Sequence, residues 1–106
     1  MLSTGTPTPT SSPARRLLPR FPLGRVTMSA AAAAVLLDHE DVIYDILRRH
    51  STGDWGDLCE YDKDMNEEAL QSGDRLFSKY SALNQTFNVF TNGHRSHTSI
   101  ELPSDY

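Results

Sequence analysis

Hydrophobic and polar positions recur with two different periods along this chain, first with helical spacing and later with strand spacing. From Ser29 to His50 the pattern predicts one long helix. Five consecutive alanines from Ala30 supply the strongest helix former. The apolar side chains of the second half share one face: Val42, Ile43, Ile46 and Leu47. If Asp38 is instead the N-cap, the alanine run is a frayed extension.

Glycines mark the ends of the next predicted elements. Gly53 ends the long helix, and a short helical turn is expected over Asp54–Cys59. Asp64 then predicts the start of a second helix, Met65–Ser72, which Gly73 closes. This helix is expected to offer Met65 and Ala69 to the core.

Three later segments alternate with the period of a strand: Arg75–Ala82, Thr86–Thr91 and His97–Leu102. A turn is predicted at Asn84-Gln85, and Asn92-Gly93 is typical of a two-residue hairpin turn. The sequence therefore predicts an α+β fold. A long N-terminal helix and short helices pack on a three-stranded antiparallel β-meander.

The segment that joins helix to sheet contains the only tryptophan and the only cysteine of the chain. Trp55 and Leu58 are three residues apart, so they share a helical face and can seal the junction between helix and sheet. Trp55 is alternatively a ligand platform or an interface anchor. Cys59 lies among acidic residues, which disfavour a reactive thiolate, and is expected to be buried.

The first 28 residues differ in composition from the rest and are predicted to be a disordered tail, followed by one domain over 29–106. Five of the six prolines lie between Pro7 and Pro22, and repeated proline prevents regular structure. Three explanations stay open. The segment is a targeting peptide, a secretory signal whose apolar region is Val26–Leu37, or the product of a start site assigned upstream of Met28.

Charge is distributed unevenly along the chain. Residues 1–27 contain four arginines and no acid, so a total formal charge of −4 leaves −8 on residues 28–106. An acidic domain argues against direct nucleic-acid binding, which needs cations to neutralise phosphates. It favours a basic protein partner. A single cysteine and the absence of a long apolar run indicate a cytoplasmic protein without a membrane partner.

Acidic residues crowd the stretch that follows Trp55: Asp57, Glu60, Asp62, Asp64, Glu67 and Glu68. A calcium loop starting at Asp62 would need glycine at position 67 and glutamate at position 73, and the chain has Glu67 and Gly73. We therefore expect no metal and no cofactor. The candidate interaction residues are Trp55, Asp57, Glu60, Asp62 and Asp64, joined by His94 and Arg95.

His94, Arg95 and His97 form the one cluster that suggests catalysis. Histidine and arginine together can serve acid–base or phosphate chemistry. An odd spacing along a strand places His94 and His97 on opposite faces, which disfavours a shared metal. A small nuclease or other enzyme using these three residues is the alternative function.

Several short motifs resemble a group of small proteins found on bacterial plasmids, integrative elements and phages. The motifs are Gly-Asp-Trp-Gly-Asp-Leu at 53–58, Asp62-Lys63-Asp64, Asn66 with Ala69-Leu70, Gly73-Asp74-Arg75-Leu76, Ser78-Lys79-Tyr80 and Leu102-Pro103-Ser104-Asp105-Tyr106. Some members of that group carry the label of a type I restriction subunit. This chain has neither a glycine-rich cofactor loop nor an Asn-Pro-Pro-Tyr-like run, and Asn92-Gly93-His94 replaces part of an acid and alternating aliphatic run that the group tends to have.

The resemblance and the acidic domain together predict a non-enzymatic accessory protein of a mobile genetic element that binds another protein. A narrower version is an inhibitor of host defence that imitates DNA with its acids. A three-stranded sheet leaves edge strands, so self-pairing into a homodimer is also expected.

Overall fold

The computed structural model describes residues 18–105, so most of the predicted tail, residues 1–17, lies outside the described part, as does Tyr106. Strands and helices follow one another in this order: β1 (Arg25–Met28), α1 (Ala30–Leu36), α2 (Glu40–Ser51), α3 (Glu60–Ser72), β2 (Leu76–Ala82), β3 (Gln85–Thr91), β4 (His97–Glu101) and a 3-10 helix (Pro103–Asp105).

The sheet is mixed, and the predicted three-stranded meander is wrong. Four strands lie in the order β1-β4-β3-β2. β2, β3 and β4 are antiparallel neighbours as expected, but β1 adds to β4 in parallel, with Arg25 opposite His97. β1 belongs to the segment assigned to the tail. Proline density suggested disorder there, yet the prolines of that segment end at Pro22 and leave Val26 and Thr27 able to join a sheet.

The predicted single long helix is also wrong, because the chain breaks at Leu37–His39. His39 has φ −129° and ψ 58°, outside the helical region. A straight helix over residues 29–50 would be about 33 Å long, whereas a strand of seven residues spans about 23 Å. The break lets both halves lie on the sheet, where α1 buries Ala32 and Leu36 and α2 buries Ile46.

Two hydrophobic clusters hold these elements together. The first lies between the sheet and helices α1 and α2: Ala32, Leu36, Ile46, Tyr80, Phe87, Val89, Ile100 and Leu102. The second joins α3 and the chain before β1 to the sheet: Phe21, Trp55, Leu58, Ala69 and Leu76. The apolar face predicted for β2, β3 and β4 is confirmed, because Leu76, Tyr80, Phe87, Val89 and Ile100 are all buried. In β3 the alternation is imperfect, since Asn88 is buried as well.

The segment before α3 differs from its prediction. No helix forms at 54–59, and α3 begins at Glu60, earlier than the expected Met65. Met65 and Cys59 are exposed, not buried. The backbone of residues 55–57 instead runs beside β2 and bonds to Lys79, which is incompatible with a helical turn. Gly73 closes α3 with φ 80°, as predicted.

The two turns of the sheet differ from their predictions: one is shifted along the chain and the other is a wider loop. The two-residue hairpin turn is at Leu83-Asn84, where both residues have positive φ, one position before the expected turn. Asn92-Gly93 is not a two-residue turn. The Asn92 side chain accepts hydrogen bonds from the amides of Ser96 and His97, which widens the loop.

Candidate protein-binding surface

The solvent-facing side of α3 carries two parallel stripes. Glu60, Asp64 and Glu68 recur every four residues, and Tyr61 and Met65 run beside them with the same spacing. All five residues are exposed, and the exposed fractions of Tyr61 and Met65 are 71% and 46%. We call these five residues the α3 surface. Tyrosine and methionine are enriched in protein interfaces, and the adjacent acids suit a basic partner.

The opposite side of α3 fixes the helix against the edge of the sheet. Asn66 is buried, and its amide donates to the carbonyl of Phe77 at 2.5 Å and accepts from the N–H of Phe77 at 3.1 Å. One side chain thus satisfies both backbone groups of a strand residue. Ala69 is buried one turn further along. The α3 surface is therefore presented by a helix with a fixed orientation.

Trp55 anchors the middle of α3. It is 4% exposed and stacks on Phe21 with ring centroids 6.3 Å apart. Its Nε1–H donates to Glu67 at 2.9 Å. The prediction that Trp55 seals the junction of helix and sheet is confirmed, and the indole is not accessible as an interface anchor.

Glu67 also receives Arg20, in a bidentate contact at 2.8 and 2.9 Å. Hydrogen bonds from Arg20, with a smaller contribution from Trp55, hold the pKa of Glu67 below its usual value. Both members of this ion pair are partly exposed, so it contributes little to stability by charge alone. Its effect is to hold the chain before β1 on the inner side of α3.

The other predicted interaction acids are in varied surroundings. Asp57 accepts from Ser81 at 2.7 Å, beside β2 and away from the α3 surface. Asp62 accepts from the Cys59 thiol at 3.4 Å. Glu60 is 3.6 Å from Lys63, and Asp64 is exposed. Of these acids, the structure brings only Glu60 and Asp64 together on one surface.

A second group of acids lies on α2: Glu40, Asp41 and Asp45, with the exposed Tyr44 among them. Arg20 links the C-terminal end of α2 to α3, because its amide donates to the Ser51 carbonyl and its side chain donates to Glu67. Arg48 and Arg49 lie at that end of α2. The acids therefore form two surfaces with arginines between them.

His94, Arg95 and His97 do not form one centre. Arg95 donates to the carbonyls of Asp74, Asn92 and Ala69, so its guanidinium ties the loop to the end of α3. His97 bonds to the Thr27 hydroxyl across the β1–β4 pair at 2.7 Å. His94 is exposed on the loop. Arg95 and His97 bond to different groups and His94 is exposed, which gives the catalytic alternative no support.

The structure instead shows a buried polar row that crosses the sheet beneath the helices. His50, at the end of α2, is fully buried between Ser78 of β2 and Thr91 of β3, at 2.6 and 2.9 Å. Thr91 contacts Thr98 of β4 at 2.7 Å. Thr98 donates to the carbonyl of Leu23, just before β1. The row thus runs from β2, at one edge of the sheet, to the chain just before β1, at the other edge.

The last bond of the row fixes the direction of the others. Thr98 donates its proton to Leu23, so it accepts from Thr91, which in turn accepts from His50 Nε2–H. His50 Nδ1 is then the acceptor for the Ser78 hydroxyl. Burial, with a further contribution from Arg95, lowers the pKa of His50 to about 3. The ring is therefore neutral at physiological pH.

Sequence reasoning missed the role of His50. Its place in the last turn of a helix, beside Arg48 and Arg49, is typical of a cation that suits the helix dipole. A usable signal was present in the strands. Ser78 and Thr98 fall on the apolar face of the alternation, and buried hydroxyls require a polar partner.

Family models, curated proteins and solved structures give no match to this chain. The resemblance to mobile-element proteins therefore stays a prediction. Within residues 18–105, no three histidine, cysteine, aspartate or glutamate side chains are grouped so as to hold a metal ion. No helix in that same range is long and apolar enough to cross a membrane.

Proposed function

We propose that this chain is a non-enzymatic accessory protein of a mobile genetic element, that it works in the cytoplasm, and that it binds a basic protein partner through the α3 surface. The mobile-element context depends on the resemblance of the motifs at 53–58 and 102–106. The binding activity depends on the geometry of α3.

The observation that carries the proposal is the pairing of two stripes on one rigid helix. The apolar stripe supplies contact area through Tyr61 and Met65, which are exposed although both lie on a helix packed against the sheet. The acidic stripe supplies steering and specificity toward a cationic partner. Asn66, Trp55 and Glu67 fix the helix from behind, so little ordering entropy is lost on binding.

The narrower version, imitation of DNA by an inhibitor of host defence, requires one continuous acidic surface. The α2 and α3 acids are separated by arginines, of which Arg20 and Arg49 pair with Glu67 and Asp54. Support therefore favours a local helix-mediated contact over imitation of a duplex. Competition by duplex DNA for the partner would distinguish the two, because only a mimic shares the DNA site.

A matched pair of surface variants tests the proposal. The α3 variant combines Glu60→Gln, Asp64→Asn, Glu68→Gln and Tyr61→Ala. The control changes α2 in the same way, with Glu40→Gln, Asp41→Asn, Asp45→Asn and Tyr44→Ala. Affinity capture followed by quantitative mass spectrometry is expected to recover a basic protein with wild type and with the α2 control. The α3 variant should lose at least about 90% of it, since interface tyrosines and their neighbours dominate binding energy.

The control also defines failure. Equal recovery by both variants would remove α3 as the binding surface, and a loss confined to the α2 control would move the interface to α2. Capture should weaken as salt is raised, because the proposed contact pairs opposite charges. A partner retained equally in low and high salt would contradict the role of the acidic stripe.

A further inference from the structure

Within residues 18–105, the outer edge of β1 is the open edge of the sheet. In the described chain, β1 is the terminal strand and has β4 on one side only. The N–H groups of Arg25 and Ser29 donate to Ser96 and Ile100, toward β4. Backbone groups alternate in direction along a strand, so those of Val26 and Met28 face outward. An edge of this kind is a template for another strand.

Side chains along the same edge are suited to a partner. Val26 and Met28 lie on the helix side of the sheet, at the register of the inward-facing Thr98 and Ile100. They nevertheless remain 38% and 37% exposed. Arg25 lies on the opposite side, is exposed, and forms no ion pair with another residue in the range 18–105. Pairing with β4 alone therefore leaves both apolar and charged side chains of β1 exposed to solvent.

We propose that two copies of this chain associate by antiparallel pairing of their β1 strands, with Thr27 on the two-fold axis. Outward-facing residues must pair with outward-facing residues, so Val26 of each copy lies opposite Met28 of the other. Each such pair exchanges two hydrogen bonds. The partly exposed Val26 and Met28 side chains then cover one another on the helix side.

Charge complementarity supports a second copy as the occupant. In this register Arg25 lies opposite Ser29 of the other copy. The Ser29 hydroxyl donates to Asp105 at 2.6 Å, so a carboxylate lies within reach of the Arg25 guanidinium in both halves of the dimer. The register also keeps the two Arg25 side chains apart, because they lie four residues from being opposite. Arg25, Val26, Met28, Ser29 and Asp105 thus supply both halves of a self-complementary interface.

The first experiment removes only the outward-facing donor. Val26→Pro deletes an N–H that does not bond to β4, and proline is tolerated at such edge positions. Sedimentation equilibrium of the full chain should show a dimer for wild type. Loss of two hydrogen bonds per dimer should weaken Val26→Pro on the order of tenfold or more. Val26→Thr, which keeps the N–H, is the control, and it should remain dimeric. Circular dichroism verifies that both variants are folded.

The second experiment traps the register by disulfide formation in a Cys59→Ser background. Thr27→Cys would place two thiols directly opposite in a non-hydrogen-bonded pair, where Cα atoms are about 4.5 Å apart and a disulfide can form. It should cross-link quantitatively under mild oxidation. Arg25→Cys tests the register and Ser81→Cys tests the opposite edge of the sheet. Both should cross-link at least about tenfold more slowly, since their thiols are not juxtaposed.

Three results would overturn the proposal. A wild-type chain that sediments as a monomer at every concentration leaves the edge without a second copy. A dimer that is unaffected by Val26→Pro has its interface elsewhere. Cross-linking that is no faster for Thr27→Cys than for Arg25→Cys excludes the proposed register of the two β1 strands.

Discussion

The two edges of the sheet are built in opposite ways. At β2 every outward-facing backbone group from Phe77 to Lys79 has a partner. Asn66 binds both groups of Phe77, and the backbone of residues 55–57 binds both groups of Lys79. At β1 the corresponding groups of Val26 and Met28 face away from the described chain. The first edge is closed from within, whereas the second is available to a partner.

The difference between the two edges shows what the non-repetitive segment at 53–57 does in the fold. The conspicuous motif Gly-Asp-Trp-Gly-Asp at 53–57 serves the β2 edge, because it supplies the backbone that lies beside Lys79 and the indole that holds Glu67. β1 has no such motif and follows a proline-rich segment. Natural proteins protect edges to avoid aggregation. Within residues 18–105 the β1 edge has no such protection, and this contrast is what the proposed dimer explains.

Opening the β2 edge at Asn66 should produce the largest effect. Asn66→Leu would leave the N–H and the carbonyl of Phe77 without partners at a buried position, where each costs about 1–3 kcal/mol. We expect unfolding free energy to fall by about 3–5 kcal/mol in urea titrations. Gln71→Leu, on the exposed side of the same helix, is the control and should change it by less than about 0.5 kcal/mol. Similar losses for both variants would show that Asn66 does not close the edge.

A methyl group at Gly56 should open the same edge from the other segment. Gly56 has φ 75°, and a Cβ there would collide with the carbonyl oxygen of Lys79. Gly73 has φ 80° with nothing near its Cβ position. Gly56→Ala should therefore cost about 2–4 kcal/mol, against about 1 kcal/mol for Gly73→Ala, which carries the backbone strain alone. Equal unfolding free energies for the two variants in thermal denaturation would show that the close approach of the Lys79 carbonyl is not the reason for a glycine at position 56.

Protonation of His50 should weaken the buried polar row that links the two edges of the sheet. The pKa of His50 is about 3 when folded and 6.5 when exposed, so the unfolded chain binds a proton that the folded chain refuses. Stability from this group is complete above pH 6.5 and is lost as pH falls toward 3. Between pH 7 and pH 5 the loss is about 2 kcal/mol.

Chemical denaturation at several pH values measures this loss. His50→Asn should be less stable at pH 7, and its unfolding free energy should lack this component of the dependence on pH. His97→Asn, which changes an exposed histidine, should retain it. A wild-type slope that survives in His50→Asn would assign the pH dependence to other groups.

Hydrogen exchange compares the edges without a mutation and with no change in stability. In dilute protein the amides of Phe77 and Lys79 should exchange at least about 100-fold more slowly than those of Val26 and Met28. Raising the protein concentration should protect Val26 and Met28 alone, since only the β1 edge gains a partner. Residue-resolved exchange by mass spectrometry or NMR measures both. Equal protection at both edges in dilute protein would mean that β1 is already covered.

Part of this fold follows from local pattern. Alternation places Leu76, Tyr80 and Val89 on one face of the sheet, and all three are buried there. The stop at Gly73 follows from the preference of glycine for positive φ. The α3 surface was predicted only in fragments. Glu60 and Asp64 were candidate acids, but Met65 was assigned to the core because the start of α3 was placed too late.

The strands β2 to β4, the acidic character of the domain and the burial of Trp55 can all be predicted from the amino-acid sequence. Each of these depends on a residue and its near neighbours, or on composition. Three features emerge only in the folded protein: Arg25–Met28 joins the sheet beside β4, the predicted long helix breaks at His39, and His50 is neutral. These depend on pairing, on the length of the sheet and on desolvation by residues far apart in the chain. A local pattern contains no information about such distant partners.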